Sequence, residues 1–283
     1  MRRGAGETDM PDIGDLMTMG ALVLVIGAFA GVVAGLLGVG GGIILVPAFF
    51  FAFSYLGYDT ADLMQICLAT SLATIVVTSA RSLSSHHRKG AVDWDILRSW
   101  APGIAIGAAL GVVAASGLRS EVLMAIFGGL GVIVGLYFGF GRPDWRLGDA
   151  MPTGIRRAAL SPVLGFLSVL MGIGGGSFGV PLMSLYNTPI HRAVATAAGF
   201  GMVIAVPSVL GFLFVQGDPA GRPPLTFGSV NLVAFLIVVA MTLITAPWGV
   251  RLAHALDPKP LRRIFAIFIM VMALNMLRKA FGW

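Results

Sequence analysis

The 283-residue sequence predicts an all-α polytopic membrane protein built from two related four-segment halves. Hydrophobic residues make up 57% of the chain and charged residues only 11%, against about 25% charged in soluble domains. That leaves too few polar side chains to cover a water-soluble core. The apolar residues gather into runs that reach the roughly 20 residues needed to cross a bilayer as a helix. A glycine-rich segment then occurs twice, once early in each half.

The chain opens on a polar stretch, 1–19, in which Glu7, Asp9, Asp12 and Asp15 follow Arg2 and Arg3. The acidic residues and the length of the apolar run beyond them do not fit a secretory signal. Eight apolar blocks follow, at roughly 20–53, 62–80, 99–117, 121–140, 158–186, 192–215, 228–247 and 262–282. The linker at 141–157 contains Arg142, Pro143, Asp144, Trp145, Arg146, Pro152 and Gly154, a composition that marks a surface connection. It separates a first membrane repeat, 20–140, from a second, 158–283. The basic residues cluster between blocks: Arg81, Arg88 and Lys89; Arg142, Arg146, Arg156 and Arg157; Arg251, Lys259, Arg262 and Arg263. Loops of this kind orient membrane proteins, and the pattern speaks against a nucleic-acid partner. The single cysteine, Cys67, lies in an apolar run and excludes an internal disulfide.

The halves share more than length. Gly38-Val39-Gly40-Gly41-Gly42 runs on through Ile43-Ile44-Leu45-Val46 to Pro47. Gly172-Ile173-Gly174-Gly175-Gly176 runs on through Ser177-Phe178-Gly179-Val180 to Pro181. Four glycines, a valine and a proline coincide at one offset, and Ala69-Thr70 has its counterpart in Ala195-Thr196. Internal repeats are a common way to build transporters. The first block, about 50 Å long as one helix at 1.5 Å per residue, exceeds the bilayer core of roughly 30 Å. Glycine disfavours a helix and proline removes an amide donor, so blocks one and five are expected to break into half-helices, forming a re-entrant hairpin or a broken span with one part on the surface. If all blocks span with the N-terminus inside, 13 of the 19 Lys and Arg fall on the cytoplasmic side. If blocks one and five re-enter with the N-terminus outside, the count is again 13 of 19. The second scheme gives an odd number of full spans per half and therefore inverted repeats, the arrangement expected here.

Irregular backbone at membrane depth is tolerated only where protein buries it or where it lines a wet cavity. The glycine amides Gly40, Gly41, Gly42, Gly174, Gly175 and Gly176, with Ser177 at the start of a half-helix, suit an anion site. Bare amides form a nest, and a helix N-terminus adds partial positive charge. The competing reading is that these glycines only allow close packing. That packing reading is preferred for Gly27, Gly31 and Gly35, for Gly103, Gly107 and Gly111, and for Gly131, Gly135 and Gly139, each set four residues apart. The Gly174-x-Gly176-x-x-Gly179 spacing lacks the strand that a dinucleotide site requires.

No Asp, Glu, Lys or Arg lies in the middle of a block. The polar groups at depth are hydroxyls and amides, among them Gln65, Thr74, Ser168 and Thr245. Thr70 and Ser71, with Thr196 as the repeat counterpart of Thr70, are the candidates for touching a substrate. Helix-to-helix hydrogen bonding is their alternative role. Near block ends, Arg81, His191 and Arg192 either draw an anion to a vestibule or anchor the topology. His86 and His87 lie in the basic loop with no acidic or cysteine partner near in sequence, and neither a cofactor nor a metal is expected.

With its paired glycine motifs, its Ala69-Thr70-Ser71 segment and the His86-His87-Arg88 run leading to Asp93-Trp94, the chain resembles the TauE/SafE family, the toluene-sulfonate uptake permeases. The likeness extends from about residue 20 to the C-terminus, with Ala197-Ala198 standing where the first half has Ser71-Leu72. It implies a cytoplasmic-membrane permease or exporter for small anions such as sulfite, sulfoacetate or related sulfonates. The expected mechanism is alternating access at a midplane site. An anion channel and a non-transporting scaffold are the alternatives, and no convergent nucleophile or acid–base pair suggests an enzyme. The partners expected are a small anionic substrate and the lipid bilayer, and the glycine faces are compatible with a homodimer.

Overall fold

Two interruptions at glycine turns shape the molecule. The computed structural model describes residues 13–37, 41–58, 60–141, 145–217, 221–255 and 258–282. The first apolar block divides into α1 (Ile13–Leu37) and α2 (Gly42–Tyr55), and the fifth into α6 (Gly154–Leu170) and α7 (Gly176–Leu185). The other six blocks are single helices: α3 (Leu63–Arg88), α4 (Trp94–Gly117), α5 (Ser120–Phe140), α8 (Ile190–Phe214), α9 (Leu232–Ala255) and α10 (Pro258–Phe281). A short antiparallel hairpin, β1 (Thr226–Phe227) and β2 (Val230–Asn231), precedes α9. Among the described residues seven helices, α1, α3, α4, α5, α8, α9 and α10, are long and apolar enough to cross a membrane. Helix dominates because hydrocarbon offers the backbone no other partner.

Several boundaries differ from the sequence expectation. Helix α1 begins at Ile13, inside the stretch read as a polar tail. Helix α3 continues through Ser82, Ser85, His86 and His87 to Arg88, so the histidine pair sits in its last turn and not in a loop. Hydropathy marks where a helix leaves lipid, whereas the backbone ladder continues until a turn ends it, here Gly90 at φ +64°. Helix α4 starts before its apolar block because Asp93 caps it, accepting a hydrogen bond from the Ile96 amide at 3.1 Å.

The glycine rows set the helix pairing. A Cβ at Gly31 would lie 2.0 Å from Thr245 Oγ1, and one at Gly27 3.1 Å from Met241 Cβ, which seats α1 along α9. Helix α4 meets α6 in the same way: a Cβ at Gly107 would lie 1.9 Å from the Pro162 carbonyl oxygen, and one at Gly111 2.8 Å from Val169. Helix α5 meets α10 through Gly131 on Ala273 and Gly135 on Met270. Small residues let backbones approach where lipid provides no hydrophobic drive between helices. In α1 with α9 and in α4 with α6 the contacting residues rise together, so those pairs are parallel. In α5 with α10 one series falls as the other rises, so that pair is antiparallel. Exchanging first-half helices for their second-half counterparts reproduces the pairing, with α1–α9 becoming α6–α4.

At the centre α3 and α8 pack together. Residues 63–75 of α3 are buried without interruption, and partial exposure begins at Val76. The large buried side chains nearby include Phe49, Phe53, Trp100, Phe200 and Phe212, so the bundle core is filled by aromatic and aliphatic groups.

Candidate functional site

Both glycine turns converge halfway along the central helices. Gly41 caps α2 with φ +72°, a left-handed conformation that disfavours any side chain, and its carbonyl accepts from the Ile44 and Leu45 amides. Gly172 takes φ +59° after α6, and the backbone turns through Ile173 and Gly174 into α7. The turns touch. A Cβ at Gly42 would lie 2.8 Å from the Gly172 carbonyl oxygen and 3.0 Å from Ile75, and one at Gly174 would lie 3.1 Å from Ile75. A Cβ at Gly175 would strike Phe200 Cβ at 2.4 Å and the Ala197 carbonyl oxygen at 2.6 Å. Close packing is therefore a real demand on these glycines, alongside any part in binding.

Above the second turn a cavity of about 390 Å³ runs to one face of the bundle. Gly174, Gly175 and Gly176 form its floor, where α7 begins. The first amides of a helix have no intrahelical partners and carry partial positive charge. One wall presents Thr78, Ser79, Ser82 and Ser85 from α3, and another presents Thr242, Leu243, Ala246 and Pro247 from α9. Val194, Ala197 and Ala198 of α8 and Ala34 of α1 supply apolar surface. Arg81, His86 and Lys89 stand at the mouth, and among the described residues no acidic side chain lines the cavity. The chemistry suits a small anion with an apolar portion: cationic attraction at the mouth, hydroxyl donors on the wall, amides at the floor.

The structure divides the sequence candidates into groups. Gly174, Gly175 and Gly176 line the cavity, as do Arg81 and His86. Ser177, 1% exposed, follows them in α7, and its hydroxyl is buried without a partner among the described residues. Gly41 and Gly42 lie at the contact between the turns, whereas Gly38, Val39 and Gly40 fall outside the described residues. The three candidate hydroxyls of the central helices are all engaged elsewhere. Thr70 Oγ1 accepts from the Asn231 amide at 2.9 Å, and Thr196 Oγ1 accepts from the Asp93 amide at 2.9 Å. Ser71 donates to the Gly172 carbonyl at 2.7 Å, which pins the second turn to α3. Gln65 Nε2 donates to the Leu118 carbonyl. The histidine pair separates: His86 faces the cavity, while His87 meets the Trp94 ring edge-on at 5.3 Å. Arg192 is held by Asp93 at 3.2 Å. Among the described residues no group of three or more His, Cys, Asp or Glu gathers to hold a metal.

Sequence reasoning missed Thr78, Ser79, Ser82, Ser85, Lys89 and Thr242. A signal existed, since 78, 82, 85 and 89 fall at helical spacing and make a polar stripe. It becomes visible only once α3 is known to continue beyond its apolar part.

A repeated, glycine-broken bundle of membrane-crossing helices around a polar cavity defines a multi-pass protein of the cell membrane, and comparison with known proteins places it more closely. The model of the family described as "Sulfite exporter TauE/SafE" matches residues 23–276, and the chain belongs to that family. It is 29% identical to a "Probable membrane transporter protein" of Haemophilus influenzae, over 93% of this chain and 100% of the relative. A probable membrane transporter protein of Methanocaldococcus jannaschii is 25% identical, over 90% of this chain and 94% of its own. Bacillus subtilis YunE, also named a probable membrane transporter protein, is 28% identical over 62% of this chain and 71% of its own. No solved structure matches the chain significantly.

Proposed function

We propose that this chain is a carrier of small anions, organosulfonates or sulfite, which binds them in the cavity above the second glycine turn and exposes them alternately to the two membrane faces. The observation that carries this reading is the lining itself: Arg81, His86 and Lys89 at the mouth, hydroxyls along α3, the start of α7 at the floor and, among the described residues, no opposing carboxylate. The family's printed description, which names sulfite export, supports the substrate class. The parallel and antiparallel helix pairs support inverted halves, because an α3 antiparallel to α8 and an α5 antiparallel to α10 run in opposite directions across the bilayer. Such halves supply two arrangements of nearly equal energy, the requirement for alternating access.

The mouth faces the cytoplasm in this reading. Arg81, Arg88, Lys89, Arg98, Arg146, Arg156, Arg157, Arg192, Arg251 and Arg263 belong to that end of the bundle, whereas Arg119, Arg222, Arg278 and Lys279 belong to the other. The excess on one face is the positive-inside signature. The test is flux of radiolabelled sulfite and sulfoacetate in proteoliposomes, with Arg81→Gln and Gly175→Leu as controls. Saturable flux weakened in the first and lost in the second is the expected result. Flux indifferent to both, from correctly inserted protein, would remove the cavity from the transport path.

A further inference from the structure

Two ion pairs sit at opposite faces of the bundle, and they correspond under exchange of the halves. Arg192, in the first turn of α8, pairs with Asp93, the cap of α4, at 3.2 Å. Asp62, which precedes α3, pairs with Arg222, in the segment leading to the hairpin and α9. The charges are reversed between the equivalent positions, since the central helix begins with the acid in one half and with the base in the other. Each pair joins a first-half aspartate to a second-half arginine. Asp93 also takes part in a threonine clamp, Thr196 on the Asp93 amide, whose counterpart in the other half is Thr70 on the Asn231 amide.

The two faces are not in the same state. The cavity opens beside the C-terminal turns of α3, where Arg81, His86 and Lys89 stand and the Arg192 side chain is 52% exposed, its partner Asp93 20%. At the other end of α3, about 39 Å away at 1.5 Å per residue, the Arg222 side chain is only 10% exposed and that of Asp62 20%. Arg222 Nη1 also donates to the Gly228 carbonyl at 3.0 Å, and the Thr60 hydroxyl donates to Asp62. Gly217 covers the pair so closely that a Cβ there would lie 1.8 Å from Arg222 Nη2. Between this pair and the glycine turns, 63–75 of α3 are buried throughout. Among the described residues the buried Arg222 Nε has no partner, so the closure is not fully satisfied there. A buried ion pair adds little net stability but is costly to leave half-made, which suits an element that is either fully engaged or fully released.

Resting on the transport reading above, we propose that Asp62 and Arg222 form the latch of a gate at the face opposite the cavity mouth. The latch is engaged in this structure and must part for the site to reach that face. The experiment uses the full chain in membrane vesicles of both orientations, with Cys67→Ala removing the native thiol and Ala198→Cys placing a reporter in the cavity wall. A membrane-impermeant maleimide should label the reporter readily from the mouth face and poorly from the opposite face. With Asp62→Asn or Arg222→Gln, labelling from the opposite face should rise on the order of tenfold, since neutralising one partner leaves the other charge uncompensated. Unchanged labelling in both variants, at wild-type levels in the membrane, would overturn the proposal. Should those variants fail to insert, Asp62→Cys with Arg222→Cys, joined by a short bis-methanethiosulfonate whose disulfides a reductant cleaves, takes their place. Crosslinking should arrest flux and cleavage restore it, and undiminished flux through the crosslinked protein would equally overturn the latch. Labelling needs no substrate, so increased access without any sulfite or sulfoacetate flux would sink the anion reading while leaving the gate standing.

Discussion

A hydroxyl buried among hydrocarbon must find a partner, and Thr70 and Thr196 show what that requirement yields where two helical halves pack together. Each is 0% exposed, and each accepts the amide of the residue capping a helix of the other half, Asn231 before α9 and Asp93 before α4. Asn231 Oδ1 in turn accepts from the Ala234 amide, as Asp93 Oδ1 accepts from that of Ile96. Replacing either threonine by valine keeps the volume and strands a buried amide, at a cost of about 1–3 kcal/mol. The expected outcome is a lower melting temperature in detergent with the half-saturating anion concentration unchanged in proteoliposomes. A large rise in that concentration without loss of stability would instead place the hydroxyl on the substrate. The opposite pattern is expected for Arg81→Gln. Arg81 is exposed at the mouth, so stability should hold while half-saturation rises several-fold up to roughly tenfold, and less so at high salt, as a screened charge interaction demands.

At the scale of the element, the glycines separate into those that bring helices together and those that turn the chain. The rows on α4 and α5 were legible from their four-residue spacing, and the close approaches of Gly107 to Pro162 and Gly131 to Ala273 agree with it. The breaks after α1 and α6 were legible too, because the glycine runs interrupt blocks too long for one bilayer crossing. The point of contact between the turns was not legible, since spacing along one chain does not reveal which distant backbone lies 3 Å away. Gly107→Leu is expected to abolish α4–α6 packing, with most of the protein lost from the membrane fraction on expression. Gly175→Leu would meet Phe200 and the Ala197 carbonyl within the cavity floor, so insertion should persist more often than flux. A protease-protection assay run beside the flux assay separates the two outcomes.

At the scale of the whole molecule, the halves are interlocked and neither is an independent domain. Helix α1 lies along α9, α6 along α4, α3 against α8 and α5 against α10, so each half buries its helices mainly on the other. Severing the chain between Asp149 and Ala150, in the exposed linker, is therefore expected to yield fragments that co-purify when expressed together and are degraded when expressed singly. Stable accumulation of either fragment alone would contradict that interlocking. The sequence by itself determined the membrane class, the repeat, the two broken helices and the family, because these follow from composition, run length and recurrence, which are properties of the linear chain. Only the tertiary structure decided which polar side chains border the cavity and which bond across the halves. Thr70, Ser71 and Thr196 bond to backbone groups over a hundred residues away, while Ser82, Ser85 and Lys89 border the cavity, as does Thr78, whose hydroxyl donates to the Thr74 carbonyl of its own helix. A side chain's availability depends on what packs against it, and that is settled by helix pairing between the halves.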